Sequence, residues 1–384
     1  MSDHPEGPLA GVRVVEVRAI GPGPFGATIL SDLGAEVVLV DRPETVRAGH
    51  SPADDVNVLA RGRRSVGVDL KSPDGVATLL RLVERADVLV EGFRPGVMER
   101  LGAGPDECLA RNPRLVYARV TGWGQDGPWA AAAGHDINYI ALSGTLWPIG
   151  RGGEAPVPPL NYVGDFGGGG MLVAVGVIAA LFERERSGRG QVVDAAMVDG
   201  AGMINAFLYG MREIGWWSEQ RGQNVIDTGA PFYEVYETAD GRWVSVGAIE
   251  PKFYRNLLDR LGLDLDPEAQ NDRGAWPATK KRFAEVFRTR TRDEWAALFE
   301  GVDACFAPVL SPWEAPEHPH HRARGAFTDA FGLVQPSPAP RFGRTPARIA
   351  GPPPRAGQHT DEILGKWGLD ADEIARLRSA GAIA

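Results

Sequence analysis

The sequence predicts an α/β protein: a doubly wound parallel sheet in a large N-terminal domain, followed by a smaller second domain. Three observations carry this. Short β-branched runs alternate with amphipathic stretches through the first third of the chain, the grammar of β-α units around a buried parallel sheet. From Phe232 onward the alternation gives way to a hairpin signal and a series of amphipathic helices. At 384 residues the chain is also longer than one ordinary core accommodates, so two domains are expected.

The elements follow in order. Residues 12–17 (Val-Arg-Val-Val-Glu-Val) read as a buried strand, and Gly21-Pro22-Gly23-Pro24 turns the chain into a helix ending at Gly34. A second strand covers Glu36–Asp41. Ser72 is an N-cap with Pro73 at the first helical position, and this helix leads into a third strand over 87–91. A helix over Pro105–Arg111 precedes a fourth strand over 115–120. In such sheets ligands sit outside the carboxyl ends of the strands. Farther on, residues 232–236 and 242–246 flank a turn at Asp240-Gly241, a hairpin pattern. Helices are expected over 252–261 and 280–288, and Thr291-Arg292-Asp293-Glu294 is a capping box for a third. Residues 336–354 contain seven prolines, which suits an extended strap, and two short helices begin at Thr360 and Asp370.

A net charge of −9 argues against a nucleic acid or an anionic membrane as partner. Cys108 and Cys305 are the only cysteines and form no C-x-x-C, which speaks against a disulfide framework or a thiolate zinc site and for a reducing compartment. The start, Met1 to Gly7, has neither a basic nor an apolar leader region, so no export signal and a cytoplasmic location are expected. Residues 166–182 are 17 uncharged residues, but five are glycine; they read as a buried helix, with no membrane partner expected.

The spacing Gly21-x-Gly23-x-x-Gly26 formally matches a dinucleotide fingerprint. Pro22 and Pro24 remove backbone donors from that loop, however, so it reads as a structural turn beside a ligand. Arg42, Arg61, Arg63, Arg64, Lys71 and Arg94 fall in loops or element ends, either as solvated charge or as a cluster for a phosphorylated carrier. His318, His320 and His321 lie among Pro316 and Pro319, which prevent a regular helix from converging them, so a solvated loop and no metal are expected. Trp216, Trp217, Met171 and Met203 read as plain core or as the lining of an apolar channel.

Catalysis is suggested by Gly134-His135-Asp136-Ile137-Asn138-Tyr139 read with Gly164-Asp165-Phe166. Histidine has the side-chain pKa closest to neutrality, and a carboxylate across a small substrate from it provides two proton-transfer groups for one carbon. Asp165 opens a glycine-rich helix whose first amides favour negative charge and whose small residues leave room for a substrate. Glu250, in Gly247-Ala248-Ile249-Glu250-Pro251, is either a third member or only a charged strand end.

Taken together, Gly21-Pro22-Gly23-Pro24, Asp41-Arg42-Pro43, Asp69-Leu70-Lys71, Gly92-Phe93-Arg94-Pro95-Gly96, Thr121-Gly122-Trp123-Gly124 and Asp194-Ala195-Ala196-Met197-Val198-Asp199-Gly200 resemble the family III CoA transferases. Gly229-Ala230-Pro231-Phe232-Tyr233 and Gly357-Gln358-His359-Thr360-Asp361 extend the likeness. Within that family the chain is most similar to the α-methylacyl-CoA racemases, because His135, Asp165 and Glu250 all match.

The resemblance implies a Rossmann-like large domain with a parallel sheet, a smaller α+β domain and an interlocked homodimer with its active site between large and small domains of different subunits. It divides the chain into a large-domain part over 1–200, a linker helix region over 201–228, a small domain over 229–330 and a return to the large domain over 331–384. His135, Asp165, Glu250 and Asp136 are the implied catalytic residues. Ile20, Arg42, Ala60, Arg61, Arg64, Lys71, Arg94 and Tyr139 are the implied substrate and CoA contacts. The implied reaction is inversion at the α-carbon of a 2-methylacyl-CoA with no separate cofactor, since CoA is part of the substrate. The alternative is CoA transfer with Asp165 as the acyl-accepting nucleophile.

Overall fold

The hydrophobic alternation of the N-terminal strands sends successive residues to opposite faces of one sheet, and each face has its own core. The computed structural model describes residues 7–49 and 51–384; the leader reading of the first six residues lies outside them. Six parallel strands form the sheet: β1 (Arg13–Val17), β2 (Glu36–Asp41), β3 (Arg63–Gly67), β4 (Val88–Glu91), β5 (Val116–Thr121) and β6 (Gln191–Ala196). Their order is β3-β2-β1-β4-β5-β6, the Rossmann arrangement, with the direction of winding reversing between β1 and β4. Val15, Val17, Leu89 and Tyr117 pack on one face with Leu79, Leu82 and Trp367. Val14, Val88, Val90 and Val116 pack on the other with Leu30, Val173 and Val177.

Two strands of this sheet were not expected from sequence. β3 begins with Arg63 and Arg64, which disguise it, yet the Arg63 side chain is fully buried. β6 is an edge strand with only its last two residues buried, so it lacks the apolar signature of a central strand.

Residues 162–187 form one long helical segment: a wide π-type turn, Tyr162–Met171, continuing as Leu172–Ser187. Its length and apolar composition would suffice to cross a membrane, but 44% of its most apolar window is buried in the protein. Val173, Val177 and Leu181 face the core, and buried Arg184 bonds Asp87 at 2.9 Å. The glycines of this segment hold close helix contacts and do not leave open room. A Cβ at Gly168 would sit 2.7 Å from Ala201 N, and one at Gly170 would sit 2.6 Å from the Phe25 ring. Gly26 answers the same demand: its Cβ would lie 2.9 Å from the Gly170 carbonyl oxygen, so the fingerprint-like spacing reflects packing.

The chain divides into two compact units: Met1–Ser143, Leu160–Ile204 and Gly325–Ala384 form the first, Gly144–Pro159 and Asn205–Arg324 the second. The second contains an antiparallel sheet of β7 (Tyr233–Glu237), β8 (Trp243–Gly247) and β9 (Phe306–Pro308). The helices Pro251–Leu261, Trp276–Phe287 and Arg292–Phe299 accompany it. Phe232, Tyr236, Val244, Leu257, Phe283 and Trp295 share its core. Thr291 and Glu294 make the expected capping box. His320 and His321 lie on a short helix, Pro319–Arg324, contrary to the loop expected, because proline is tolerated at a first helical position. Trp216, Met171 and Met203 are exposed, which removes the plain-core reading for them.

In the first unit, β10 (Phe327–Ala330) and β11 (Leu333–Pro336) form a hairpin, after which the proline-rich strap runs to the helix Thr360–Lys366. Gly62 N–H donates to the Gly351 carbonyl and Arg348 N–H to that of Asp32, each at 2.9 Å, tying the strap to the residue before β3 and to the end of the helix Pro22–Asp32.

Candidate active site

The carboxyl ends of β1, β2 and β4 open into a cavity of about 800 Å³. It is lined by the segment after β1 (Arg18 to Gly21), by Arg42 after β2, by Gly92 to Arg94 after β4, and by Asn57, Leu59, Ala60 and His135. This is the reversal point of the winding, where open parallel sheets bind ligands.

Buried ion pairs support the floor. Arg63 Nε bonds Glu16 Oε2 at 3.0 Å, and its Nη atoms donate to Thr28 Oγ1 at 2.9 Å and the Pro24 carbonyl at 2.6 Å. Burial raises the pKa of Glu16, with Arg63 opposing it. Arg18 pairs with Asp41, which also accepts from Ser65 Oγ at 2.6 Å. Glu91 accepts from the Phe93 N–H at 2.7 Å and from Arg119 Nε at 2.9 Å, fixing the loop that carries Arg94. Charged residues inside apolar strands, such as Glu16 and Glu91, were the sequence signal for this layer.

His135 immediately precedes the helix Asp136–Leu142; its N–H donates to Asn138 Oδ1 at 3.0 Å and its exposed ring is at the cavity wall. Asp136 is buried, accepting the Asp165 N–H on Oδ2 at 2.7 Å and leaving Oδ1 without a hydrogen-bond partner among the described residues. Asp165 lies inside the first turn of the π-type segment and does not cap it, because the helix begins earlier, at Tyr162. Its carboxylate accepts from Asn161 Nδ2 at 3.3 Å, a partner that sequence reading missed although the i, i+4 spacing carried it. A Cβ at Gly21 would stand 3.2 Å from Asp165 Oδ2, so this acid lies against Gly21 of the cavity wall without itself lining the cavity. Burial raises its pKa; the Asn161 bond opposes this, the Asp136 charge adds to it and the His135 charge opposes it.

The structure brings His135, Ile20, Arg42, Ala60 and Arg94 to one cavity, with Asp165 behind Gly21 of its wall. Arg61 is not among its lining residues: its guanidinium is buried and spent on Asp32 and Gln335. Arg63 is a buried structural cation as well, so the basic run is neither simply solvated nor wholly available to a ligand. Arg64 lines a different cavity, at the amino end of its strand, and Lys71 lies in the exposed turn before the helix Pro73–Val83. Tyr139 is buried, donating to the Gly134 carbonyl and packing edge-on against Trp123 at 4.8 Å. Glu250 belongs to the second unit, exposed at the start of the helix Pro251–Leu261.

The family model described as CoA-transferase family III matches residues 9–360. The chain belongs to that family. This family III CoA-transferase chain is 50% identical over 374 residues to the α-methylacyl-CoA racemase of Mus musculus, covering 97% of this chain and 96% of that protein. To the α-methylacyl-CoA racemase of Homo sapiens it is 49% identical, with the same coverage. Among solved structures, a CAIB/BAIF family protein from Brucella suis is similar at 25% identity and a TM-score of 0.81, over 94% of this chain and 100% of that one. Among the described residues of this family member, no group of three or more His, Cys, Asp or Glu is placed to hold a metal ion.

Proposed function

We propose that this protein is an isomerase that inverts the α-carbon of 2-methyl-branched acyl-CoA thioesters by proton transfer through an enolate. The observation that carries the reading is that His135 lines the cavity at the carboxyl end of the sheet while Asp165 stands behind Gly21 of its wall, near enough for the His135 charge to act on its carboxyl group. The half-identical relatives named α-methylacyl-CoA racemase support it. A thioester acidifies its α-C–H because the enolate oxygen shares the charge. One base removes the proton and a conjugate acid on the other face returns one.

In this reading His135 and Asp165 are the two bases, and the raised pKa of Asp165 makes it a stronger base than an ordinary carboxylate. Asp136 holds the backbone of Asp165 in place. The amide of Asp136 is among the first helical N–H groups, which lack intrahelical acceptors, and serves the thioester oxygen. Arg42 and Arg94 receive the phosphates of the CoA moiety.

The active assembly in this reading is a homodimer, in which the second unit of one copy brings Glu250 to His135 of the other and fixes its tautomer. Exposed apolar side chains in each unit support association: Val175 and Phe182 in the first, Phe207 and Trp216 in the second. CoA is part of the substrate and no separate cofactor enters. The two free thiols suit a reducing cytoplasm.

The test is solvent deuterium exchange. A 2-methylacyl-CoA incubated with the protein in deuterated water gains α-deuterium and loses stereochemical purity without any acceptor acid. Dependence on an added carboxylate would instead assign Asp165 the role of an acyl-accepting nucleophile.

A further inference from the structure

The segment Gly357-Gln358-His359-Thr360 belongs to the family likeness, yet none of its residues lines the carboxyl-end cavity. It runs along β3, the edge strand of the six-stranded sheet. His359 N–H donates to the Ser65 carbonyl at 2.9 Å, and Thr360 Oγ1 accepts the Gly67 N–H at 3.0 Å. Gly357 N–H donates to Ser65 Oγ at 2.7 Å, and that buried hydroxyl donates in turn to Asp41 Oδ2 at 2.6 Å. Gly357 is thereby held in register with Asp41, the last residue of β2.

Beyond Asp41 lies the helix Pro43–Ala48, with Arg42 immediately before it; Arg42 and Thr45 both line the cavity. Six residues are too few for a helix to hold itself in place. Pro43 and Val46 are its only residues that are not exposed. Val46 N–H donates to the Arg42 carbonyl at 3.2 Å, so the place of one sets the place of the other. The Val46 side chain sits in a notch between two glycines. A Cβ at Gly67 would stand 2.9 Å from Val46 Cγ2, and one at Gly357 would stand 2.8 Å from Cγ1. Gly357 also has φ +70°, a conformation that glycine adopts without cost.

We propose that Val46, seated in the notch of Gly67 and Gly357, is a positioning residue for substrate binding: it fixes the helix Pro43–Ala48 so that Arg42 and Thr45 face the cavity. Val46 is not itself a lining residue and acts through Arg42. The inference rests on the reading that Arg42 receives a phosphate of the CoA moiety. With the anchor truncated, the helix has to be ordered at the moment of binding, and affinity falls by that cost.

The experiment is a double-mutant cycle on the full-length protein, read as KM and kcat for a 2-methylacyl-CoA in the solvent-deuterium assay and as Kd for CoA by calorimetry. Val46→Ala is expected to raise KM and Kd roughly fivefold with kcat kept, the pattern of binding lost equally from substrate and transition state. Val46→Thr, which keeps both branches on Cβ, stays near the native values. Arg42→Gln raises KM about tenfold. Adding Val46→Ala to it changes little more, because no guanidinium is left to place. With Arg94→Gln, from the loop after β4, the Val46→Ala effect adds in full. Gly357→Ala pushes Val46 out of the notch and raises KM at least as far; its backbone strain also lowers Tm, so Val46→Ala decides.

Three outcomes overturn the proposal: native KM and Kd in Val46→Ala; a fall in kcat as large as the rise in KM; or an effect that adds in full to Arg42→Gln, the signature of general loosening. CoA binding that Arg42→Gln leaves unchanged would remove the reading of Arg42 and this inference with it. A native protein that follows the calorimetric cycle but exchanges no α-hydrogen would remove the isomerase reading alone and support the placement of Arg42.

Discussion

The backbone N–H of Asp165 donates to Oδ2 of Asp136 at 2.7 Å, so the side chain of one acid sets the backbone position of the other. Asp136→Asn keeps an acceptor oxygen and is expected to preserve the fold. Asp136→Ala leaves a backbone donor unsatisfied, at about 1–3 kcal/mol. Urea unfolding of both variants reads the difference, and turnover in Asp136→Ala should fall further than its stability loss explains.

His135→Ala is expected to lower α-hydrogen exchange by about 10²–10⁴-fold while CoA-ester affinity is largely kept. Full exchange activity in that variant would remove the two-base mechanism.

Asp165 has a folded pKa raised above its usual 3.8, chiefly by burial. Its proton-bound form is favoured by folding, so this contribution is present below the unfolded pKa and lost as pH rises through the folded one. At neutral pH the ionised carboxylate is therefore a small net liability. Asp165→Asn should unfold at a higher temperature than the native protein at pH 7, with the gap closing in acid, and should be inactive. The acid limb of kcat/KM in the native protein should fall above the ordinary carboxylate range. A limb at the unperturbed value would contradict this assignment.

Arg63 has a fully buried side chain and four hydrogen bonds, one of them to Glu16. Arg63→Ala leaves that carboxylate buried and unpaired, with an expected loss of roughly 3–5 kcal/mol in urea unfolding. The double replacement of Arg63 and Glu16 by methionine should recover most of it.

Gly168 faces the backbone of the helix Met197–Ile204, so close that a methyl group on its Cα would sit 2.7 Å from Ala201 N. Gly168→Ala should cost about 1–3 kcal/mol by overpacking. Thermal unfolding checks it, and an unchanged Tm would return the glycines to a substrate-clearance role.

Much of the first sheet was legible because hydrophobic period and turn residues are local properties. Val14 and Val15 face opposite cores as their adjacency demands. β3 was hidden by Arg63, whose burial depends on a carboxylate contributed by Glu16 in another strand, and no local pattern contains that pair. The same limit applies to the basic cluster. Six similar cations in sequence become buried pairs for Arg61 and Arg63, a cavity wall for Arg42 and Arg94, a separate cavity for Arg64 and an exposed turn for Lys71.

By itself the sequence determined the strand and helix grammar, the family motifs and the residues capable of proton transfer, since these depend on residue type and spacing. Tertiary structure alone decided that His135 lines the cavity with Asp165 behind its wall, that Asp136 is a backbone anchor, and which arginines line that cavity. The physical reason is that a charge takes its role from what surrounds it after folding, through burial and partners distant in the chain.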